Sequence, residues 1–238
     1  MAIAIDIILL LIIVICTWNG FKKGLISGIA GILAAIIALF GGSLLSSTYS
    51  GEVITALEPF VDGYVDSAKT TEYALEYMDC ADSDKSLEDI IREDNSLRYD
   101  YAYACMNYVG FSEEISDNLA RETVILSVDN ELDMVDAVVQ ILCQTITYVL
   151  GLAIAFLLIL ILLTAVANLF NISLRLPSFE TLDDIGGAVF GFIKGMFYCI
   201  LLCWFLSFLG IIIGKNTIDS TVLGRFFSAF DFVTESLL

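Results

Sequence analysis

From Leu25 to Leu45 the chain carries no charged residue. A helix needs about 20 apolar residues to cross a hydrocarbon core of ~30 Å, so this stretch alone implies a membrane span. Three further runs join it. Ala2 to Trp18 is apolar except for Asp6, Ala137 to Leu174 is free of charge, and so is Gly195 to Gly214. The expected fold class is therefore all-α: a polytopic membrane protein with four transmembrane helices.

Charge divides the chain sharply. Of 29 acidic and 11 basic residues, 22 acidic and 5 basic ones lie between Tyr49 and Asp136. The remainder is close to neutral, and the mean hydropathy of the whole chain is +0.85. The expected organisation is two helices in 1–48, an acidic helical insert in 49–136, two helices in 137–214 and an amphipathic tail in 215–238. So strong an acidity repels phosphate backbones, which excludes nucleic acid as a partner. Histidine is absent. That removes Ser-His-Asp chemistry, the common zinc sites and the usual pH switch. With no catalytic constellation left, the expectation is a non-enzyme without cofactor or metal.

Two basic pivots flank the apolar runs. Gly20-Phe21-Lys22-Lys23-Gly24 returns as Gly191-Phe192-Ile193-Lys194-Gly195. The similarity suggests two helix pairs in a parallel repeat. Small residues continue from both pivots at fourfold spacing: Gly20, Gly24 and Gly28 in one row, and Gly187, Gly191, Gly195, Cys199, Cys203 and Ser207 in another. Helices in lipid associate by close approach at such rows, because apolar burial supplies no drive there. Cys199 and Cys203 also admit a metal-pair reading, against the plainer one of small packing residues. Lys22, Lys23, Arg175 and Lys194 are expected at the cytoplasmic face under the positive-inside rule, with both termini and the insert on the other side. These lysines act as topology anchors or hold anionic headgroups.

Asp6 has two readings. An ionisable residue within a span marks a functional site by default. Near a helix end it is also simply solvated at the interface. The first run lacks the basic start of a signal peptide, so it reads as a span rather than a leader.

The insert is too patterned for disorder. Ser86-Leu87-Glu88-Asp89 has the form of a capping box. Leu57, Phe60, Val61, Tyr64 and Val65 recur with helical spacing, as do Ile115, Leu119, Thr123 and Leu126. Short helices are expected, joined near Gly63, Asp82-Ser83-Asp84 and Gly110. The acidic, tyrosine-rich surface either binds cations or a basic partner, or is a solvated face over a small core. Cys80 and Cys105 are the two cysteines of this segment and would be free to pair in an oxidising compartment.

The third run is longer than a bilayer, so its true span is expected at Tyr148–Asn168, with the earlier part extending into the insert. Gln140 and Gln144 stand one turn apart, as a polar seam or a docking point for the insert. Pro177 ends the unit. Thr181-Leu182-Asp183-Asp184 has capping-box form and opens the fourth helix. Its span is expected at Gly195–Gly214, with Lys194 at the inner interface. In the tail, Val222, Leu223, Phe226, Phe227, Phe230, Val233 and Leu237 form one face, for the membrane plane or for packing on the insert.

Asp6 in the first span, Lys23-Gly24 opening the second, and Asp183-x-x-x-Gly187-x-x-x-Gly191-x-x-Lys194-Gly195 opening the fourth resemble the CvpA (colicin V production protein) family of bacterial inner-membrane proteins. The resemblance covers roughly residues 1–48 and 140–215. Asp184 stands where that family often has a basic residue, and Gly28 where it often has an acidic one. The resemblance implies a plasma-membrane protein with a role in colicin V-like toxin production or secretion, and no established chemistry. Two functions follow as expectations. One is a scaffold or accessory factor for secretion or envelope maintenance, whose partners are the lipid bilayer, a membrane or secretion-machinery protein, or a second copy of the chain as a homo-oligomer. The other is a small channel or transporter with Asp6, Gln140 and Gln144 near its pathway.

Overall fold

The computed structural model describes residues 2–80, 86–169, 180–208 and 220–228. Among them the secondary structure is helical throughout, with no strand. The helices are α1 (Ala2–Lys23), α2 (Leu25–Val65), α3 (Ala68–Tyr77), α4 (Leu87–Glu93), α5 (Leu97–Val109), α6 (Glu113–Asp129), α7 (Met134–Leu169), α8 (Glu180–Ser207) and α9 (Val222–Ser228). Four segments are long and apolar enough to cross a membrane: Ile3–Lys23, Leu25–Tyr49, Met134–Asn168 and Thr181–Ser207. The chain is thus an all-helical, polytopic membrane protein.

The contacts divide it into two units. A membrane unit comprises Met1–Thr48, Leu150–Leu206 and Asn216–Leu238; an acidic unit comprises Tyr49–Val149 and Ser207–Lys215. In the membrane unit large apolar side chains face outward, among them Ile3, Phe40, Leu44, Leu158 and Ile161. Small residues have a large share in its interior: Ala35, Ala38, Cys199 and Cys203 are buried beside a few larger side chains such as Leu9 and Leu152. That inversion suits a solvent of lipid tails, where exposing leucine carries no penalty and close packing is the remaining source of cohesion.

The acidic unit has a conventional core. Tyr101, Ala102, Cys105 and Met106 of α5 are buried, as are Phe111 beyond it and Ile115 and Leu119 of α6. Phe111 meets Phe208 edge to face at 5.8 Å. Caps delimit its helices. Ser86 Oγ accepts from the Asp89 N–H at 3.3 Å and donates to the Asp89 carboxylate at 2.7 Å. Ser112 receives the Ile115 N–H, and Gly110, at φ +101°, closes α5.

Several expectations are corrected. Leu57, Phe60, Val61, Tyr64 and Val65 form no separate helix; they continue α2, which runs 41 residues, about 60 Å. Gly63 lies inside it, and Pro59 is accommodated there, forfeiting one backbone bond at Thr55. The break falls at Ser67 instead, whose hydroxyl accepts from Thr70 N–H at 3.4 Å and caps α3. The junction expected at Asp82-Ser83-Asp84 lies outside the described residues, as do Pro177, Arg175, Lys215, Phe230, Val233 and Leu237.

The parallel repeat also fails at its two pivots. Gly24 sits at the turn between two helices, in the left-handed region with φ +85°. Gly191 and Gly195 lie within an uninterrupted α8. The two motifs occupy different kinds of position, and they pack on one another rather than repeating one another.

Candidate functional site

The fold focuses on a crossing of α1 and α8. A Cβ added to Gly20 would overlap the Gly187 carbonyl oxygen and approach Gly191 Cα at 2.9 Å. One on Gly191 would overlap the Cys16 carbonyl and reach Thr17 Cα at 3.1 Å, and one on Gly195 would reach Ile13 Cα at 3.0 Å. Further along, Cys199 Sγ donates to the Leu9 carbonyl at 3.4 Å. As α8 advances by one turn, α1 recedes by one turn. The helices are therefore antiparallel, in backbone contact along a row where any larger side chain would part them. A Cβ added to Gly28 would lie 2.9 Å from Phe190 Cβ, which brings α2 to the same helix.

Asp183 secures this crossing at its end. It is 2% exposed. Its Oδ1 accepts from the Leu25 N–H at 2.8 Å, the first amide of α2. Gly24 must be glycine on two counts: its φ is positive, and a Cβ would lie 2.8 Å from Asp183 Cγ. The chain turns at Gly24, α2 begins with orphan amides, and a carboxylate from α8 fills the role a local Ser or Asp would usually play. The α2 dipole further favours the charge there. This corrects the capping-box reading of Thr181-Leu182-Asp183-Asp184. Thr181 is already helical, and Asp183 caps another helix than its own. Sequence reasoning had not singled out Asp183 as a site residue. The signal was present: of two adjacent acidic residues before the glycine row, Asp183 lies a full turn ahead of Gly187 and in register with it.

The antiparallel register moves Lys194. Its neighbour Gly195 lies against Ile13, about 15 Å along α1 from the Lys23 end. Lys194 is thus near the middle of a ~30 Å core, not at an interface. The segment long and apolar enough to cross a membrane here is Thr181–Ser207, and the last part of the expected Gly195–Gly214 span lies outside the described residues. The Lys194 ammonium reaches the surface left by Gly31, 3.0 Å from the place of its missing Cβ, and stands 5.3 Å from the Tyr198 ring centroid. No carboxylate within ion-pair distance of it exists among the described residues. Lys22, by contrast, is in the last turn of α1, over the Trp18 ring at 5.1 Å, and Lys23 is exposed beside it.

Asp6 has specific partners. Its two oxygens accept from Leu223 N–H at 2.9 Å and Val222 N–H at 3.2 Å. It caps α9 and ties the tail to α1, so within the described residues the tail docks on the membrane unit rather than on the insert. Val222 and Phe226 of α9 are exposed while Phe227 is buried, which splits the single apolar face expected. Gln140 lines a cavity in the acidic unit with Glu58, Asp62 and Asp136. Gln144 is exposed and not part of that lining, so the two form no common seam. Among the described residues no cluster suits a metal ion. Cys80 and Cys105 are free thiols, not a disulfide. Cys105 is fully buried inside α5, where burial pushes its thiol up to about 12. Cys80 donates instead to the Met78 carbonyl at 3.3 Å.

The surface of the acidic unit is built from tyrosines. Tyr64 and Tyr73 both approach Tyr108, at 6.0 and 5.2 Å, and Tyr77 and Tyr99 approach Tyr103 at 5.6 and 6.1 Å. At one end Arg121 lies over the Tyr99 ring at 5.6 Å and binds Asp117 through two nitrogens at 3.1 Å. The Tyr99 hydroxyl also donates to Asp117. Arg121 and then Tyr99 hold the Asp117 carboxyl below its ordinary value. Desolvation and the bond to Asp117 push the Tyr99 phenol up to about 12.

These features define a class: a four-span helical membrane protein locked by backbone contact at glycine rows, with an acidic, tyrosine-faced helical unit. The family model described as Colicin V production protein matches residues 109–231, more than half of the chain. The chain belongs to that family. The matched segment contains α6, α7, α8 and the Asp183–Gly195 motif; α1 and α2 lie outside it. No curated protein and no solved structure matches the chain.

Proposed function

We propose that the chain is a non-enzymatic scaffold or accessory factor for colicin V-like toxin production or secretion, or for envelope maintenance, in a bacterial plasma membrane. Its acidic unit and both termini face away from the cytoplasm, since Lys22 and Lys23 cluster at the α1–α2 turn. The acidic unit is the surface that engages a basic region of a membrane or secretion partner. The observation that carries this reading is the display of tyrosine rings on a strongly acidic face: Tyr77 is 47% exposed and Tyr64 38%. Flat aromatic faces ringed by carboxylates suit lysine and arginine side chains, and Arg121 already rests on Tyr99 in this way.

The test is capture by in-cell crosslinking from sites beside Tyr77, followed by gentle solubilisation. A specific partner should be recovered, and reversing two exposed charges, Glu72→Lys with Glu76→Lys, should abolish recovery while helicity is unchanged. A chain that stays solitary, or a partner indifferent to the reversal, would count against the scaffold. Impermeant maleimide should label Cys80 in whole cells if the orientation is right.

A second reading, a small channel or transporter, draws on the cavity of about 740 Å³ lined by Glu58, Asp62, Asp136 and Gln140. Cation flux in proteoliposomes that falls with Gln140→Leu would favour it; sealed vesicles would dispose of it.

A further inference from the structure

Inside the membrane unit a cavity of about 340 Å³ opens among all four spans, lined by residues that include Ile12, Leu39, Leu152, Phe156, Leu202 and Trp204. That volume is within the roughly 300–1,000 Å³ usual for small-molecule sites. Its lining is hydrocarbon apart from Tyr198 and the Trp204 indole. The Tyr198 hydroxyl is shielded from solvent and has no hydrogen-bond partner. A buried hydroxyl left this way forfeits its hydration without a compensating bond, which calls for an explanation. One turn earlier on α8 and outside that lining stands Lys194, its ammonium reaching toward Gly31, again with no carboxylate in ion-pair reach among the described residues. Intramembrane lysines of this kind are ordinarily paired. Tyr198 thus brings an unpartnered hydroxyl donor to the wall of an apolar slot, and a cation without a carboxylate stands beside that residue.

We infer that this is a binding site for a long-chain fatty acid: its carboxylate between the Lys194 ammonium and the Tyr198 hydroxyl, its single acyl chain along the Ile12–Leu39–Phe156 slot. An anion answers the uncompensated charge, and its oxygens accept from both donors. A two-chain phospholipid fits less well. Its headgroup belongs at the interface, whereas Lys194 is drawn toward Gly31, about 9 Å along α2 from its first residue. A neutral chain would leave Lys194 unanswered.

Trp204 in the cavity wall supplies the test. The chain has two tryptophans, so Trp18→Phe leaves Trp204 as the sole reporter in the purified full-length protein in neutral detergent. Stearic acid brominated at mid-chain should quench it saturably. Lys194→Met and Tyr198→Phe should each raise the half-quenching concentration, roughly tenfold for the former. Should either variant lose helicity, Ala153→Phe serves instead. It narrows the slot, leaves both polar groups in place, and should abolish saturable quenching. The assignment is overturned by non-saturable quenching, by equal quenching from the brominated methyl ester, or by quenching from brominated phosphatidylglycerol but not from the free acid. None of these outcomes bears on whether the acidic face binds a partner.

Discussion

In the membrane unit, Gly20, Gly187 and Gly191 bring α1 and α8 to backbone contact. In the acidic unit, α3, α5 and α6 meet through large side chains: Tyr101 and Phe111 are almost wholly buried, and the Tyr73 hydroxyl donates to Asn107 at 3.0 Å. The difference follows from the surroundings. Water drives aromatic and aliphatic side chains inward, so a core in water is filled with bulk. Lipid exerts no such drive, so spans gain cohesion by removing side chains and letting backbones touch. A glycine is therefore a packing residue in the membrane unit, while within a helix of the acidic unit, as at Gly63, it contributes no contact.

Substitutions at glycine sharpen this contrast most. Gly187→Leu should collapse the α1–α8 contact, because a Cβ there already lies 2.7 Å from Gly24 C. Overpacking of this kind costs about 3 kcal/mol or more at a site with no room to yield. The thermal midpoint in detergent should fall by several degrees, and an unchanged midpoint would show that the crossing is not what holds the unit.

Asp183→Ala comes next. It strips the cap from α2 and should cost about 1–2 kcal/mol, typical of a lost N-cap. Asp183→Asn keeps an acceptor for Leu25 N–H and should recover part of the loss. If the two variants are equally destabilised, charge rather than the hydrogen bond is what matters.

In the acidic unit the Asp117–Arg121–Tyr99 group gives a smaller, pH-dependent effect. The Asp117 carboxyl is depressed in the folded state. Its stabilisation is complete above the ordinary carboxylate value of about 3.9 and disappears as pH falls through the lower folded value. Tyr99 has the opposite sign. Its phenol is raised to about 12, so its contribution holds below the ordinary value near 10 and is lost as pH rises through the folded one. Asp117→Asn should lower the Tyr99 phenolate midpoint part of the way toward its ordinary value, desolvation keeping the rest, as read by ultraviolet absorbance. A Tyr99 midpoint that fails to drop would place the cause entirely in desolvation.

Gly63→Ala should have the least effect and the reverse sign. Nothing lies within 4 Å of a Cβ at Gly63, and the position is helical. Alanine there should stabilise by roughly 0.5–1 kcal/mol. A destabilisation would reveal a neighbour at Gly63 and blur the contrast between the two regions.

Helices, their number in the membrane, the acidic segment and the small-residue rows were all legible from residue order, because each depends on local composition and spacing. The family was legible too, from the Asp183–Gly195 motif. The length of α2 was not. Tyr49 to Val65 is mixed in polarity, and Pro59 and Gly63 are ordinary helix-stop signals, which an already nucleated helix overrides.

What only the tertiary structure decided is which groups meet. The fourfold rows announce that some helix comes close, but they are silent on direction; antiparallel register is set by how α1 and α8 stack their backbones. That register put Lys194 beside Ile13 and Gly31 instead of at the membrane surface. It also gave Asp183 to the amide of Leu25, a partner 158 positions away. Local sequence carries propensity and periodicity. Hydrogen bonds and charges between distant segments depend on packing geometry, and in lipid that geometry is determined by which backbones can approach most closely.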